Sequence, residues 1–139
     1  MLRHVLLIDD HDADLVYGEA VLRRSGLCAQ VSCFEDAEEA LAFLMSPEGR
    51  RVDLVLLDIN MPDMDGFTFL AAYGALRAEA PARAGVVMLT SSPDPLDRER
   101  AFAHRCVKDY LIKPLDAAAV RRLAEPAACG AGTSATAQP

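Results

Sequence analysis

No apolar run in this chain approaches the roughly 20 residues that a membrane-crossing helix requires, and the N-terminus enters a strand-like run without a secretory-signal pattern. No membrane association and a cytoplasmic location are therefore expected. Basic charge is also in short supply: 14 Lys and Arg stand against 21 Asp and Glu, a formal net charge of −7. That balance argues against direct binding to nucleic acid or anionic membrane, because the favourable neutralisation of phosphate charge is missing. A protein partner fits better. The cysteines, Cys28, Cys33, Cys106 and Cys129, lack CxxC metal spacing, and in a reducing compartment they read as small, partly buried hydrophobes. A Gly-rich phosphate loop is missing as well. The first apolar run leads instead into Asp9-Asp10-His11-Asp12, whose acids would repel pyrophosphate and argue against a nucleotide-binding α/β domain.

What is present is enough for one domain: 139 residues, 52% of them hydrophobic, can bury an ordinary core. Residues 5–8, 52–57, 86–89 and 110–112 are apolar runs too short for helices and composed like doubly buried parallel strands. Helical patterns lie between them. Leu15, Gly18 and Leu22 share a face of a helix over 13–24 that Gly26 ends, and a short strand is expected over 30–33. Asp36 and Glu39 have capping-box spacing, and Ala37, Ala40, Leu41 and Leu44 form the inward face of a second helix before Pro47 and Gly49. The stretch 61–66 must turn tightly, through Pro62 and Gly66, into a helix containing Phe67, Leu70 and Tyr73. A fourth, charge-rich helix starts near Asp94-Pro95, and Pro126 breaks a fifth. Alternating strands and helices predict an α/β fold with a doubly wound, five-stranded parallel sheet. Residues 126–139, small and Ala/Gly/Thr/Ser-rich, are expected to form a disordered C-terminal tail.

The chemistry-bearing residues stand at the ends of the strand-like runs: Asp9 and Asp10, Asp58, Thr90 and Lys113. In an open parallel sheet the carboxyl ends of the strands share one edge, where ligands bind, so these residues should converge. Three carboxylates held together need a raised pKa or a cation. Oxygen ligands on a shallow edge favour Mg²⁺, usually held together with a phosphate group.

The segments HVLLIDDHDAD, VDLVLLDINMPDMDGF, VVMLTSS and YLIKP, in this order and spacing, resemble the receiver domains of two-component response regulators. The resemblance covers positions 4 to 124 and implies a flavodoxin-like (βα)5 receiver domain over 1–125. It makes Asp58 the phosphoacceptor and gives Mg²⁺ to Asp9, Asp10, Asp58 and the backbone carbonyl of Asn60. Thr90 would hydrogen-bond the phosphoryl group, Lys113 would pair with one of its oxygens, and Tyr110 would be the switch aromatic. A cis bond is implied between Lys113 and Pro114. Asn60 and Ser92 would tune the phosphoryl lifetime. A carboxylate attacking phosphorus gives a reactive, transient acyl phosphate by positioning and electrostatics, with little need for a general base. Such a domain assists its own phosphorylation and dephosphorylation without being an enzyme in its own right. The implied partner is a sensor histidine kinase or a histidine phosphotransfer protein, with signalling through the fourth helix, fifth strand and fifth helix; homodimerisation is left open. LTSSPDPLDRERAF resembles stand-alone receivers associated with sensor histidine kinases, including those linked to bacterial phytochromes. Residues 105–108 depart from the common family pattern, which carries a Gly-Ala pair there.

Other readings compete. Asp9 and Asp10 could cap the helix that follows, Thr90 could begin a polar turn, and Tyr110 could be a half-buried strand aromatic. The domain could be a relay intermediate or phosphate sink instead of a switch, or an interaction module that works without phosphorylation. An aspartyl-phosphate phosphatase or mutase would carry a second Asp two residues after the nucleophile, where this chain has Asn60. No helix-turn-helix or second apolar pattern follows, so no output domain is expected on the chain.

Overall fold

The computed structural model describes residues 1–79 and 84–125, with side chains for all of these except 77–79. Five strands, β1 (Leu2–Ile8), β2 (Cys28–Phe34), β3 (Leu54–Leu57), β4 (Gly85–Thr90) and β5 (Val107–Ile112), form one sheet in the order β2-β1-β3-β4-β5. All four pairings are parallel. The helices are α1 (Asp12–Ser25), α2 (Ala37–Met45), α3 (Gly66–Glu79), α4 (Pro95–Phe102) and α5 (Ala117–Ala124), with a 3₁₀ turn at Gly49–Arg51. This is a doubly wound parallel α/β sheet.

The strand period of two divides the core cleanly. Leu6 and Ile8 of β1, Val55 and Leu57 of β3 and Val86 and Met88 of β4 pack with Leu41 and Leu44 of α2 and Phe69, Leu70 and Tyr73 of α3. Their neighbours Val5, Leu7, Leu54, Leu56, Val87 and Leu89 face the other way, onto Leu15 and Leu22 of α1 and Ala119 and Val120 of α5. Successive strand side chains point to opposite faces, so both faces of the central strands must be apolar. Every residue of β3 and β4 is buried.

Helix entries follow from local chemistry. The Asp36 side chain accepts from the amides of Glu38 and Glu39, Asp94 from Leu96, and Asp116 from Ala119, satisfying amides that have no partner inside the helix. Gly26, at φ 70°, ends α1 in the left-handed region.

The observed elements differ from expectation mainly at their edges. β2 runs over Cys28–Phe34 rather than 30–33, because it pairs with β1 from Leu2↔Cys28 to Ile8↔Phe34. β3 begins at Leu54; the amide of Val52 is bonded instead to Gly49 of the 3₁₀ turn. Cys106 is buried as expected, but Cys33 is exposed. No helix among the described residues is long and apolar enough to cross a membrane. Residues 126–139, including Pro126, Cys129 and the expected tail, lie outside the described residues.

Candidate functional site

Four strand ends meet at one edge. β1 ends at Ile8 and delivers Asp9 and Asp10, β3 ends at Leu57 and delivers Asp58, Thr90 is the last residue of β4, and Lys113 follows β5. The backbone stitches these ends together: the Asp58 amide donates to the Ile8 carbonyl (3.0 Å) and the Lys113 amide to the Thr90 carbonyl (2.8 Å).

Ligand atoms of Asp9, Asp10, His11 and Asp58 all lie within 4.8 Å of one another. The Lys113 ammonium is 2.6 Å from Asp9 Oδ2, 2.8 Å from Asp14 Oδ2 and 3.7 Å from Asp58 Oδ1. The Lys113–Pro114 peptide is cis. Asp9 and Asp10 do not cap α1: the capping position belongs to His11, which makes no side-chain cap bond. Asp9 Oδ1 accepts instead from the His11 amide (2.9 Å), and His11 Nδ1 lies 3.2 Å from Asp9 Oδ1 and 3.1 Å from Asp10 Oδ1.

Asp58 is 3% exposed. Burial pushes its pKa up to about 6; the Asp9 carboxylate pushes the same way, and Lys113 pulls back. Burial works against the Lys113 ammonium, yet the hydrogen bonds to Asp14 and Asp9 outweigh it and hold its pKa above the usual lysine value. His11 is likewise raised, first by its hydrogen bond to Asp9 and then by the Asp10 charge.

The loop after Asp58 is built to stay close to it. The Gly66 amide donates to the Ile59 carbonyl (2.8 Å), and a Cβ on Gly66 would stand 2.6 Å from the Asp58 carbonyl oxygen, so a side chain there would collide with backbone. Asp63 takes φ 65°, a conformation that Asp tolerates better than most residues. Asn60 is exposed in this loop.

Thr90 is fully buried, and its Oγ1 accepts from the Ser92 amide (3.2 Å). Tyr110 is 6% exposed, more buried than a half-exposed strand aromatic. Its hydroxyl donates to the Ser92 carbonyl (2.8 Å), and the Arg98 guanidinium lies 5.8 Å from its ring centre. The structure thus gathers Asp9, Asp10, Asp58 and Lys113 directly, and links Thr90 and Tyr110 through Ser92.

The donors fit a hard divalent cation. Asp10 Oδ1 is buried and accepts no hydrogen bond, its nearest recorded cationic neighbour being His11 Nδ1 at 3.1 Å. An orphaned carboxylate oxygen beside two further carboxylates is costly unless a cation faces it.

A family model described as the response regulator receiver domain matches residues 5–125. The chain belongs to this family. The receiver is 32% identical over 124 residues to the probable methanogenesis regulatory protein FilR2 of Methanothrix harundinacea, spanning 87% of this chain and 78% of that protein. Other curated relatives are longer: the chain spans 59% of a rice response regulator and 17% of one from Arabidopsis thaliana. Among solved structures, a two-component response regulator from Cytophaga hutchinsonii superposes with TM-score 0.80 at 28% identity, covering 88% of this chain and 93% of that one. The Mn²⁺-bound form of response regulator Rcp1 superposes with TM-score 0.66 at 27% identity, covering 87% and 88%. Receiver domains are signalling domains of two-component systems, not generally classed as enzymes, and they work with histidine kinases and phosphotransfer proteins.

Two site residues went unassigned in the sequence reading, His11 and Asp14. Both stand in the DDHDAD segment, and the available signal was the density of polar groups at the strand-to-helix turn.

Proposed function

We propose that this receiver accepts a phosphoryl group on Asp58 from a histidine kinase or a histidine phosphotransfer protein, and changes partner affinity as a result. The carrying observation is the buried Asp58 carboxylate, 3% exposed and at the convergence of the strand ends, with Lys113 3.7 Å away and an Asp10 oxygen that accepts no hydrogen bond nearby. Asp9, Asp10, Asp58 and the Asn60 carbonyl would hold Mg²⁺, which would offset charge on the transferring group. The Mn²⁺-bound relative supports that assignment.

A carboxylate oxygen of Asp58 attacks phosphorus, an O–P bond forms and the P–N bond to the donor imidazole breaks. The imidazole keeps the electron pair and leaves as a neutral ring when its other nitrogen already carries a proton. The product is an acyl phosphate. Lys113 supplies a fixed positive charge to the phosphoryl oxygens, and Thr90 a hydroxyl donor. The link from Thr90 through Ser92 to Tyr110 favours a switch over a simple relay, because a change at the hydroxyl reaches the α4–β5 surface. We place the reaction in the cytoplasm and assign 1–125 as the working unit.

Intact-mass measurement after incubation with acetyl phosphate and Mg²⁺ tests the proposal. An adduct that disappears in Asp58→Asn and without metal is expected. If cation binding is demonstrated and no adduct forms, the domain is an interaction module that works without phosphorylation.

A further inference from the structure

The Lys113 ammonium has three hydrogens, and two of them are taken. Its contacts with Asp9 (2.6 Å) and Asp14 (2.8 Å) are hydrogen bonds, whereas Asp58 Oδ1, at 3.7 Å, is out of reach. Asp14 comes from the first turn of α1, 99 residues away in sequence. An acid in a first turn stabilises the helix dipole wherever its side chain points, so the reach across to β5 calls for a separate account. Asp14 also stands outside the group of residues whose ligand atoms cluster around Asp58. A cation among those acids would compete for Asp9 and loosen its hold on Lys113, while the hold of Asp14 would persist.

We infer that Asp14 is a positioning residue that restrains Lys113 in the unphosphorylated protein and sets how readily the ammonium reaches a phosphoryl group on Asp58. This rests on the proposed role of Asp58. Asp14 is 44% exposed in its side chain, so the restraint is weak and easily given up. Exposed pairs of this kind shift equilibria by about two- to five-fold. Asp14 therefore biases Lys113 without locking it.

The chain has only two lysines, Lys108 and Lys113, so ¹³Cε and ¹⁵Nζ NMR signals of Lys113 can be assigned with Lys108→Arg. In the full chain without phosphodonor, Asp14→Asn should move the Lys113 signals and speed the exchange of its ammonium protons, and Asp14→Glu should restore part of the effect. Unchanged Lys113 signals overturn the inference, and this arm needs no phosphorylation. With Mg²⁺ and beryllofluoride as the phosphoryl mimic, Asp14→Asn should bind the mimic about two- to five-fold more tightly. That gain should vanish when Lys113→Ala is also present. Weaker binding in Asp14→Asn, or an equal gain in the Lys113→Ala background, overturns the restraint. A wild-type protein that takes up neither beryllofluoride nor phosphoryl refutes the proposed role of Asp58, and the NMR arm then decides the Asp14–Lys113 restraint by itself.

Discussion

His4 and Asp58 are ionisable groups buried in the same sheet, 4% and 3% exposed, yet the molecule treats them in opposite ways. His4 lies near the start of β1. Its Nε2 is 2.8 Å from Ser32 Oγ on β2, and its ring meets Phe43 edge-on with centroids 5.8 Å apart. Burial lowers its pKa, against the pull of Asp53 and Glu48, so the neutral ring is favoured. Asp58, just past the end of β3, has other carboxylates for neighbours, and its charged form is penalised both by burial and by Asp9. The cost of burying charge is general. One end of the sheet resolves it with a hydroxyl and an aromatic edge, whereas at the other Lys113, 3.7 Å from Asp58, offsets it only in part.

If this contrast is right, the two residues should respond oppositely to mutation. His4→Ala leaves a cavity beside Phe43 and strips Ser32 of its partner, and should cost about 2–4 kcal/mol in denaturant unfolding. A neutral result would break the comparison. Asp58→Asn keeps the shape but removes the penalised charge. Without divalent metal near neutral pH it should gain about 1–3 kcal/mol, the upper part corresponding to the pKa shift. A destabilised variant would mean that the carboxylate is already satisfied.

Acidification sharpens the same test. The folded protein holds a proton on Asp58 that the unfolded chain releases between pH 3.8 and about 6, so the Asp58 penalty is full above that window and fades as pH falls through it. For His4, with its folded pKa lowered, the stabilising contribution is full above the ordinary histidine value of 6.5 and is lost as pH falls below it. The two slopes oppose each other in the metal-free wild type. Asp58→Asn should therefore lose stability more steeply between about pH 7 and about pH 4.5, by about 2 kcal/mol relative to the wild type. Parallel pH curves would contradict the opposed slopes. The smallest effect concerns the cation: Mg²⁺ at ten-fold above its Kd should stabilise the wild type by about 1.4 kcal/mol. Thermal unfolding should show that increment shrinking in Asp58→Asn and persisting in His4→Gln.

The strand ends were legible because a parallel sheet leaves little freedom: once the apolar runs are strands in alternation with helices, Asp9, Asp58, Thr90 and Lys113 must lie along one edge. The two-sided core was legible for the same reason, since residues 5–8, 54–57 and 86–89 are apolar at every position. β2 was less so. It is an edge strand with Ala29, Gln30 and Cys33 exposed, and its extent is set by hydrogen bonding to β1 rather than by its own pattern. Met61, 9% exposed in the turn after Asp58, gave no periodic signal of burial. Asp14 could not be paired with Lys113 from sequence, because their meeting depends on how α1 seats against the end of β5. His11 had a similar disadvantage: its nearness to the acids comes from the strand-to-helix turn, and spacing alone does not report which way that turn points.

Ser92 is gripped from several sides: its amide by the Thr90 hydroxyl, its carbonyl by the Tyr110 hydroxyl, and its own hydroxyl by Asp97 of α4. A wiring diagram of the domain would show one junction there, with no intermediate residue between the buried edge of the sheet and the outer helix. A displacement of Ser92 would therefore alter three contacts at once, those to Thr90, to Tyr110 and to Asp97 of α4.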